Sequence, residues 1–203
     1  MRCVLAALFL ALFSLTGNAS AQIVLDRGIM VGATLTTVEV DEETARFTPD
    51  YRTGFVVGGF AVFDLLGPVK LRPEIHISQK GTRVERDGQD GSAVLSATYL
   101  EIPVLAKLSL PTVFTPHVSA GPAFAFRFLE SAQGEGFQSG NLFRLTDLGV
   151  SFGAGLDFRT QARSFSIEVR YTSGLNNVLE GSGLGVNDFS KNRAFSITTS
   201  IGL

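Results

Sequence analysis

The stretch Ser164–Thr172, Ser-Phe-Ser-Ile-Glu-Val-Arg-Tyr-Thr, alternates apolar and polar side chains without a break. Every second residue from Phe165 to Tyr171 is apolar, and the residues between them include Glu168 and Arg170. A period of two places these two sets on opposite faces of a β-strand. The stretch therefore predicts a strand with one apolar face and one face that carries two opposite charges.

The same alternation recurs along the chain and predicts eight strands. It is weak in the first two strands and strong in the other six. The predicted strands are Ile29–Val40, Tyr51–Phe63, Val69–Lys80, Ala93–Leu108, Pro116–Leu129, Arg144–Phe158, Ser164–Gly174 and Arg193–Leu203.

The segments between these strands alternate between long and short. Segments 41–50, 81–92, 130–143 and 175–192 are the long ones, and segments 64–68, 109–115 and 159–163 are the short ones. Bacterial outer-membrane barrels have short turns on the periplasmic side and long loops on the outside. With eight strands, both ends of the barrel domain are expected on the periplasmic side.

Alternation alone does not say which face of the strands points inward, and a soluble lipocalin-like barrel would turn the apolar face inward. Here the apolar face is dense and nearly free of charge. The polar face is rich in Gly, Ala and Ser, which suits the crowded interior of a small barrel. Together with the loop pattern, this predicts an all-β fold, an eight-stranded antiparallel up-and-down transmembrane β-barrel, over residues 22–203.

The first residues have the pattern of an export signal. Arg2 precedes the apolar run Val4–Leu15, and Ala19-Ser20-Ala21 is a typical cleavage site. We therefore predict a signal peptide over residues 1–21, with an uncleaved anchor helix as the alternative. Cys3, the only cysteine, lies inside this segment, so residues 22–203 offer no disulfide or thiol chemistry.

Charge and hydropathy exclude other classes of protein. The formal net charge is −2, which does not resemble a nucleic-acid-binding surface. After the signal peptide there is no apolar run of about 18 residues, the length expected of a membrane-spanning helix. Without such a helix, the architecture that could still cross a membrane is a closed β-barrel, because it pairs every backbone polar group without water. The expected location is the bacterial outer membrane.

Three segments resemble a known family. They are Arg72–Gly81, Tyr99–Lys107, which contains Tyr-Leu-Glu-Ile-Pro, and Arg170–Asn177, which contains Arg-Tyr followed by Gly-Leu-Asn-Asn. Together they resemble the PorT-like outer-membrane β-barrel family, over nearly all of residues 29–203. The resemblance implies an integral outer-membrane protein with eight antiparallel strands. The namesake member acts in protein secretion, a role that we keep only as an alternative. Many such barrels end in an aromatic residue, whereas this chain ends in Leu203.

The polar faces of the strands carry charges that would point into the barrel. Isolated charges in a filled interior are costly, so we expect them to form ion pairs that fix the strand register. Arg72 and Glu74 lie on the strand beside the one that carries Glu101 and Lys107, and pairing between these neighbours is expected. Glu168 and Arg170 could reach across the lumen. The predicted interior polar cluster is Arg72, Glu74, Glu101, Lys107, Glu168 and Arg170.

Residues outside this cluster give little indication of a catalytic or metal-binding site. His76 and His117 fall on nonadjacent strands and are not expected to share a ligand site, and Ser78 has no evident third partner for a catalytic triad with His76. We therefore predict no catalytic, metal or cofactor site and no enzyme activity. The alternatives are a proton or small-ion path, a narrow channel, and a lipid-modifying enzyme. The expected partners are outer-membrane lipid, the barrel assembly machinery and a protein bound at the loops.

Overall fold

A computed structural model shows a closed barrel of antiparallel β-strands. It describes residues 24–40, 47–86, 92–110, 114–133, 144–161, 163–177 and 190–203. In these ranges there is no helix that is both long enough and apolar enough to span a membrane. The predicted signal peptide, residues 1–21, lies outside the described residues and stays a prediction. So do most of the predicted long loops.

The described residues form nine strands, eight of which make the barrel wall. The strands are β1 (Val24–Val40), β2 (Phe47–Asp50), β3 (Arg52–Leu66), β4 (Val69–Arg86), β5 (Ser92–Ser109), β6 (Thr115–Gln133), β7 (Thr146–Arg159), β8 (Ser164–Gly174) and β9 (Ser190–Gly202). The short β2 pairs with the outer end of β4, next to the place where β3 begins.

The wall closes because its last strand pairs with its first. The order around the barrel is β1, β3, β4, β5, β6, β7, β8, β9, and β9 pairs with β1 from Gly28–Gly202 to Val40–Ser190. All these pairings are antiparallel. The prediction of an eight-stranded antiparallel up-and-down barrel is therefore confirmed. Val24 and Leu203, the first and last residues that the structure describes, lie at the rim that carries the short turns.

The strand boundaries were predicted closely in places and poorly in others. The predicted strand Ser164–Gly174 has the same bounds as β8. The largest error is at β4, which runs to Arg86 rather than to Lys80. Gly81 does not end this strand, because β4 stays paired with β5 from Gly81–Ser96 to Glu85–Ser92. On its other side, the Gly81 N–H donates to the Thr36 hydroxyl at 3.0 Å and its carbonyl accepts from that hydroxyl at 2.9 Å. The predicted loop 81–92 is therefore mostly strand.

The weak alternation of the first two predicted strands also has a physical reason. Their inward positions carry apolar side chains as well as polar ones. Met30 on β1 is 2% exposed, and Val56 and Val62 on β3 are buried as well. Apolar residues therefore occur on both faces of these two strands, which removes the contrast that marks the other six.

The barrel is apolar outside and polar inside, as the membrane interpretation predicts. On β8, Val169 points outward and is 55% exposed, whereas its neighbours Glu168 and Arg170 point inward and are almost fully buried. Other strands follow the same rule, with Phe152 and Val118 outward. A soluble barrel would have the opposite arrangement, so the lipocalin-like alternative is wrong.

The barrel wall has one high side. Strands β4, β5 and β6 have 18, 18 and 19 residues, whereas β8 has 11. At the usual rise and tilt of barrel strands, 19 residues cover about 45 Å along the barrel axis, against about 25 Å for the apolar band of an outer-membrane barrel. We call the loop-side ends of these strands, residues 81–86, 92–98 and 129–133, the high wall.

Val169→Arg tests whether the outward face lies in lipid. Val169 is the middle residue of β8, so we expect it at the centre of the bilayer. An arginine there should lower the free energy of unfolding by about 2–4 kcal/mol. The measurement is denaturant unfolding of the protein folded in lipid vesicles. The control is Leu66→Arg at the turn rim, where the cost should be at most about 1 kcal/mol. Equal costs at the two positions would contradict the lipid-facing assignment.

Candidate functional site

An arginine between two glutamates lies at the centre of the lumen. The guanidinium of Arg170, on β8, donates two hydrogen bonds to Glu74 of β4, at 2.6 and 2.8 Å. Its Nε donates to Glu168 at 2.8 Å. Strands β4 and β8 lie on opposite sides of the barrel, so this contact crosses the lumen. Two parallel hydrogen bonds from one guanidinium make it strong and geometrically specific.

A second arginine bridges the same two carboxylates. The Nε of Arg72 lies 2.9 Å from Glu74, and one of its terminal nitrogens lies 3.9 Å from Glu168. Its guanidinium stacks over the ring of Phe60 at 4.4 Å. Both arginines and both glutamates are at most 4% exposed. Positive and negative groups therefore alternate in a buried set of four.

His117 carries the contacts from this centre toward the turn rim. Its Nε2 lies 3.0 Å from Glu168, and its Nδ1 lies 3.1 Å from Asp157. Asp157 in turn accepts from the ammonium of Lys107, at 2.7 and 2.8 Å. The Ser119 hydroxyl also donates to Glu168. The chain of polar contacts thus extends from the central arginines to Asp157 and Lys107, near the turn rim.

His76 carries the contacts the other way, toward the loop rim. Its ring nitrogens lie 3.7 Å from Glu74 and 3.5 Å from Glu101. Glu101 pairs with Lys80 at 2.9 Å and also accepts a hydrogen bond from the Ser78 hydroxyl. One connected set of polar side chains, which we call the lumen network, therefore crosses the middle of the interior. Its charged and histidine members are Arg72, Glu74, His76, Lys80, Glu101, Lys107, His117, Asp157, Glu168 and Arg170.

Glycines on the inward faces make the space that this network occupies. A Cβ on Gly58 would lie 2.3 Å from the Cβ of His76. A Cβ on Gly153 would lie 2.9 Å from the carboxylate of Glu168, and one on Gly155 would lie 2.7 Å from the ring of His117. The large charged side chains fit because their neighbours across the strands have no side chain.

The structure places all six residues of the predicted interior cluster in the lumen, but not in the expected pairs. Register explains the difference, because Glu101 lies opposite His76 and Lys107 lies opposite Lys70. Arg72 is therefore too far along β4 to meet Glu101. The expected pairing of Arg72 and Glu74 with Glu101 and Lys107 is therefore wrong. Glu101 pairs instead with Lys80 on the same neighbouring strand, and Arg170 does reach across the lumen, to Glu74.

Four members of the lumen network are not among the six residues of the predicted interior cluster. They are His76, Lys80, His117 and Asp157, and all four lie on the polar face of their predicted strands. The alternation alone was enough to predict that these four side chains point into the lumen. It could not identify their partners, because contacts across a barrel depend on which strands face each other. The two histidines lie in different parts of the network, and each bridges a different pair of carboxylates.

The chemistry available in the lumen is ion pairing and proton exchange. The part of the chain that the structure describes has no group of three or more His, Cys, Asp or Glu side chains placed to hold a metal ion. The hydroxyls of Ser78 and Ser119 donate to Glu101 and Glu168 rather than to an imidazole. These serines are therefore held by carboxylates, and not activated as in a serine hydrolase.

Residues 19–180 match the family described as outer membrane protein beta-barrel domain. The chain belongs to that family. Its closed barrel, apolar outside and polar inside, is the architecture that this membership implies. The protein is therefore a β-barrel of the bacterial outer membrane, as the sequence analysis predicted.

Several solved structures are similar to this member of the outer membrane protein beta-barrel domain family. Neisserial surface protein A is 9% identical, with 87% of this chain and 97% of that chain covered and a TM-score of 0.49. OprG of Pseudomonas aeruginosa is 17% identical, with 89% and 95% covered and a TM-score of 0.45. Ail of Yersinia pestis, in complex with a heparin analogue, is 12% identical, with 88% and 98% covered and a TM-score of 0.44. Among curated proteins there is no match.

Arg170→Met tests how far the barrel depends on the centre of its network. The substitution leaves Glu74 and Glu168 without their main partner in a buried place, and it should cost about 3–5 kcal/mol of unfolding free energy. The measurement is denaturant unfolding in lipid vesicles.

Two further variants control this prediction. Arg193→Met removes an ion pair with Glu39 at the more exposed loop rim and should cost at most about 1 kcal/mol. Adding Glu74→Gln to Arg170→Met should recover part of the loss, because Arg72 then faces one buried carboxylate, Glu168, instead of two. If Arg170→Met costs no more than Arg193→Met, the central role of Arg170 is wrong.

Proposed function

We propose that the protein is a closed, non-conducting barrel that anchors an interaction surface outside the outer membrane. The lumen network serves as a structural plug and not as a path for solutes. The high wall and the long loops provide the surface that a partner would bind. The function is thus one of anchoring and binding, with no reaction catalysed in the lumen.

The distribution of space inside the barrel supports the closed lumen. A cavity of about 340 Å³ lies at the turn rim and ends at Arg72 and Lys107. A second cavity, of about 20 Å³, lies beyond the central arginine between His76 and Ser151. The second is about the size of one or two water molecules. The Arg72, Glu74 and Arg170 side chains lie between the two cavities, which favours a plug over a channel.

The high wall supports the interaction role. Strands β4, β5 and β6 are about twice as long as a membrane crossing requires. Long strands outside the bilayer hold a surface rigidly, and this reduces the entropy lost when a partner binds. Because the turn rim of an outer-membrane barrel faces the periplasm, the high wall would stand on the outer side.

The three segments that resemble the PorT-like family support a place in that branch. Arg72 and Glu74 belong to the first segment, Glu101 to the second and Arg170 to the third. All four side chains are members of the lumen network. We propose that these segments are shared because they build the plug, and that lipid and the barrel assembly machinery are partners of the fold.

An outer-membrane enzyme acting on lipid is less well supported than the anchoring role. Such an enzyme needs a nucleophile and a base at the lipid interface. Ser78 and His76, like Ser119 and His117, are at most 6% exposed and point into the lumen. Lipid bound to the outer face would not reach them, which favours the anchoring function.

Planar-bilayer recording tests the plug. The refolded protein should give no discrete opening steps, because the ion pairs leave no continuous water path along the lumen. A known porin, refolded and inserted in the same way, shows that the bilayer can report channels. Reproducible open-channel steps from the wild-type protein would contradict the proposal and favour the narrow channel.

Site-specific photo-crosslinking in cells tests the interaction surface. A photoreactive amino acid at Arg83, which is exposed on the high wall, should give a discrete protein adduct. The same amino acid at Ile197, exposed on the outward face of β9, should give adducts with lipid only. The readout is the gel mobility of the crosslinked barrel. Identical adduct patterns at the two positions would contradict a role for the high wall.

A further inference from the structure

The cavity at the turn rim is large enough to hold a ligand. Its volume is about 340 Å³, within the range of pockets that hold small organic molecules. It opens at the rim where the short turns lie, which is the periplasmic side of an outer-membrane barrel. We call it the periplasmic vestibule, and its lining includes Lys70, Arg72, Lys107, Asp157, Arg159 and Ser166.

The vestibule has an excess of positive charge. Four cationic side chains line it, against the two carboxylates of Asp26 and Asp157. Arg72 and Lys107 already contact carboxylates, at 2.9 and 2.7 Å. Within the described residues, Lys70 and Arg159 form no ion pair. The positive charges of Lys70 and Arg159 are therefore available to a negatively charged ligand in the vestibule.

The strand register adds a like-charge pair to this excess. Lys70 lies directly opposite Lys107 in the pairing of β4 with β5, so both side chains point to the same face. Like charges directly opposite each other on a sheet are destabilising. Asp64, the register partner of Lys70 on β3, has no ion pair with it in the described part of the chain. A bound anion would relieve this repulsion.

The rest of the lining suits an organic molecule better than a bare ion. The Ser166 hydroxyl is nine-tenths buried, lines the vestibule and has no hydrogen-bond partner among the described residues. A buried hydroxyl without a partner is costly, and a ligand oxygen would satisfy it. On another side, Phe60 and Val62 present apolar surface. Phe60 also holds the guanidinium of Arg72 by stacking.

We propose that the periplasmic vestibule binds a phosphate ester with a small organic part. Lys70 and Arg159 supply the free positive charge, Ser166 supplies a hydrogen bond, and Phe60 and Val62 cover the organic part. The same phosphate chemistry occurs in soluble periplasmic metabolites and in the headgroups of phospholipids in the inner leaflet. The binding site is independent of the surface at the loop rim.

Amide chemical shifts of the ¹⁵N-labelled full barrel in neutral maltoside micelles test the proposal. Phenyl phosphate should shift the amides of Lys70, Arg159 and Ser166 in a saturable way, at fixed ionic strength. Phenol, which lacks the phosphate, should not. Shifts that do not saturate, or that spread over both rims, would overturn the proposal.

Variants and a second ligand complete the test. Lys70→Gln with Arg159→Gln should weaken the affinity for phenyl phosphate at least tenfold, whereas Arg83→Gln at the other rim should leave it unchanged. Neither Lys70 nor Arg159 has an ion pair to lose, so the double variant should fold, as heat-dependent gel migration will show. Ser166→Ala should weaken binding without a change of charge. An unchanged affinity in the double variant would overturn the proposal.

The source of the phosphate is distinguished by short-chain phosphatidylglycerol, added to the same micelles as monomer. If it shifts the three amides and glycerol phosphate does not, the ligand is a lipid headgroup. If glycerol phosphate is enough, the ligand is a soluble ester. Both results support the vestibule as a phosphate site. If neither lipid, glycerol phosphate nor phenyl phosphate shifts these amides, the proposal is wrong.

Discussion

The contact on which the rest of the lumen depends is the one between Arg170 and Glu74. It joins β8 to β4 across the barrel, and no backbone pairing connects these two strands. The further members of the lumen network are linked to this pair in two directions, through His76 toward the loop rim and through Glu168 and His117 toward the turn rim. A small barrel with polar side chains inside must satisfy all of them at once, because a buried charge without a partner costs several kcal/mol. The central pair and its network therefore favour one register for the strands that carry these side chains, β4 to β8.

The fold was largely predictable from the sequence, and the reason is the outward face. The alternation of apolar and polar residues is clear wherever one face of a strand contacts lipid and the other contacts charged groups. In β8 the contrast is complete, and its bounds were predicted correctly. In β1 and β3, Met30 and Val56 point inward, so the contrast fades. The extension of β4 past Gly81 depends on pairing with β5 and on the Thr36 hydroxyl of β1, and a local sequence pattern contains neither.

The site was less predictable than the fold, because it is built from contacts between distant strands. The alternation placed Arg72 and Glu74 on an inward face, and this needs only local information. Their partners depend on which strands face each other and on the stagger between neighbours. Glu101 lies beside His76 and not beside Arg72 because of that stagger. The missing side chains of Gly153 and Gly155 are equally decisive, since they admit Glu168 and His117.

Because the strands extend to unequal heights, the barrel presents different surfaces on its different sides in the plane of the membrane. Along β8 the described wall ends after 11 residues, whereas β4, β5 and β6 continue well above it. On the β8 side the described strands end nearer the membrane. A neighbour in the membrane that approaches from the β5 side meets a sheet that stands upright above the bilayer. A partner that binds the proposed interaction surface would therefore lie on one flank of the barrel.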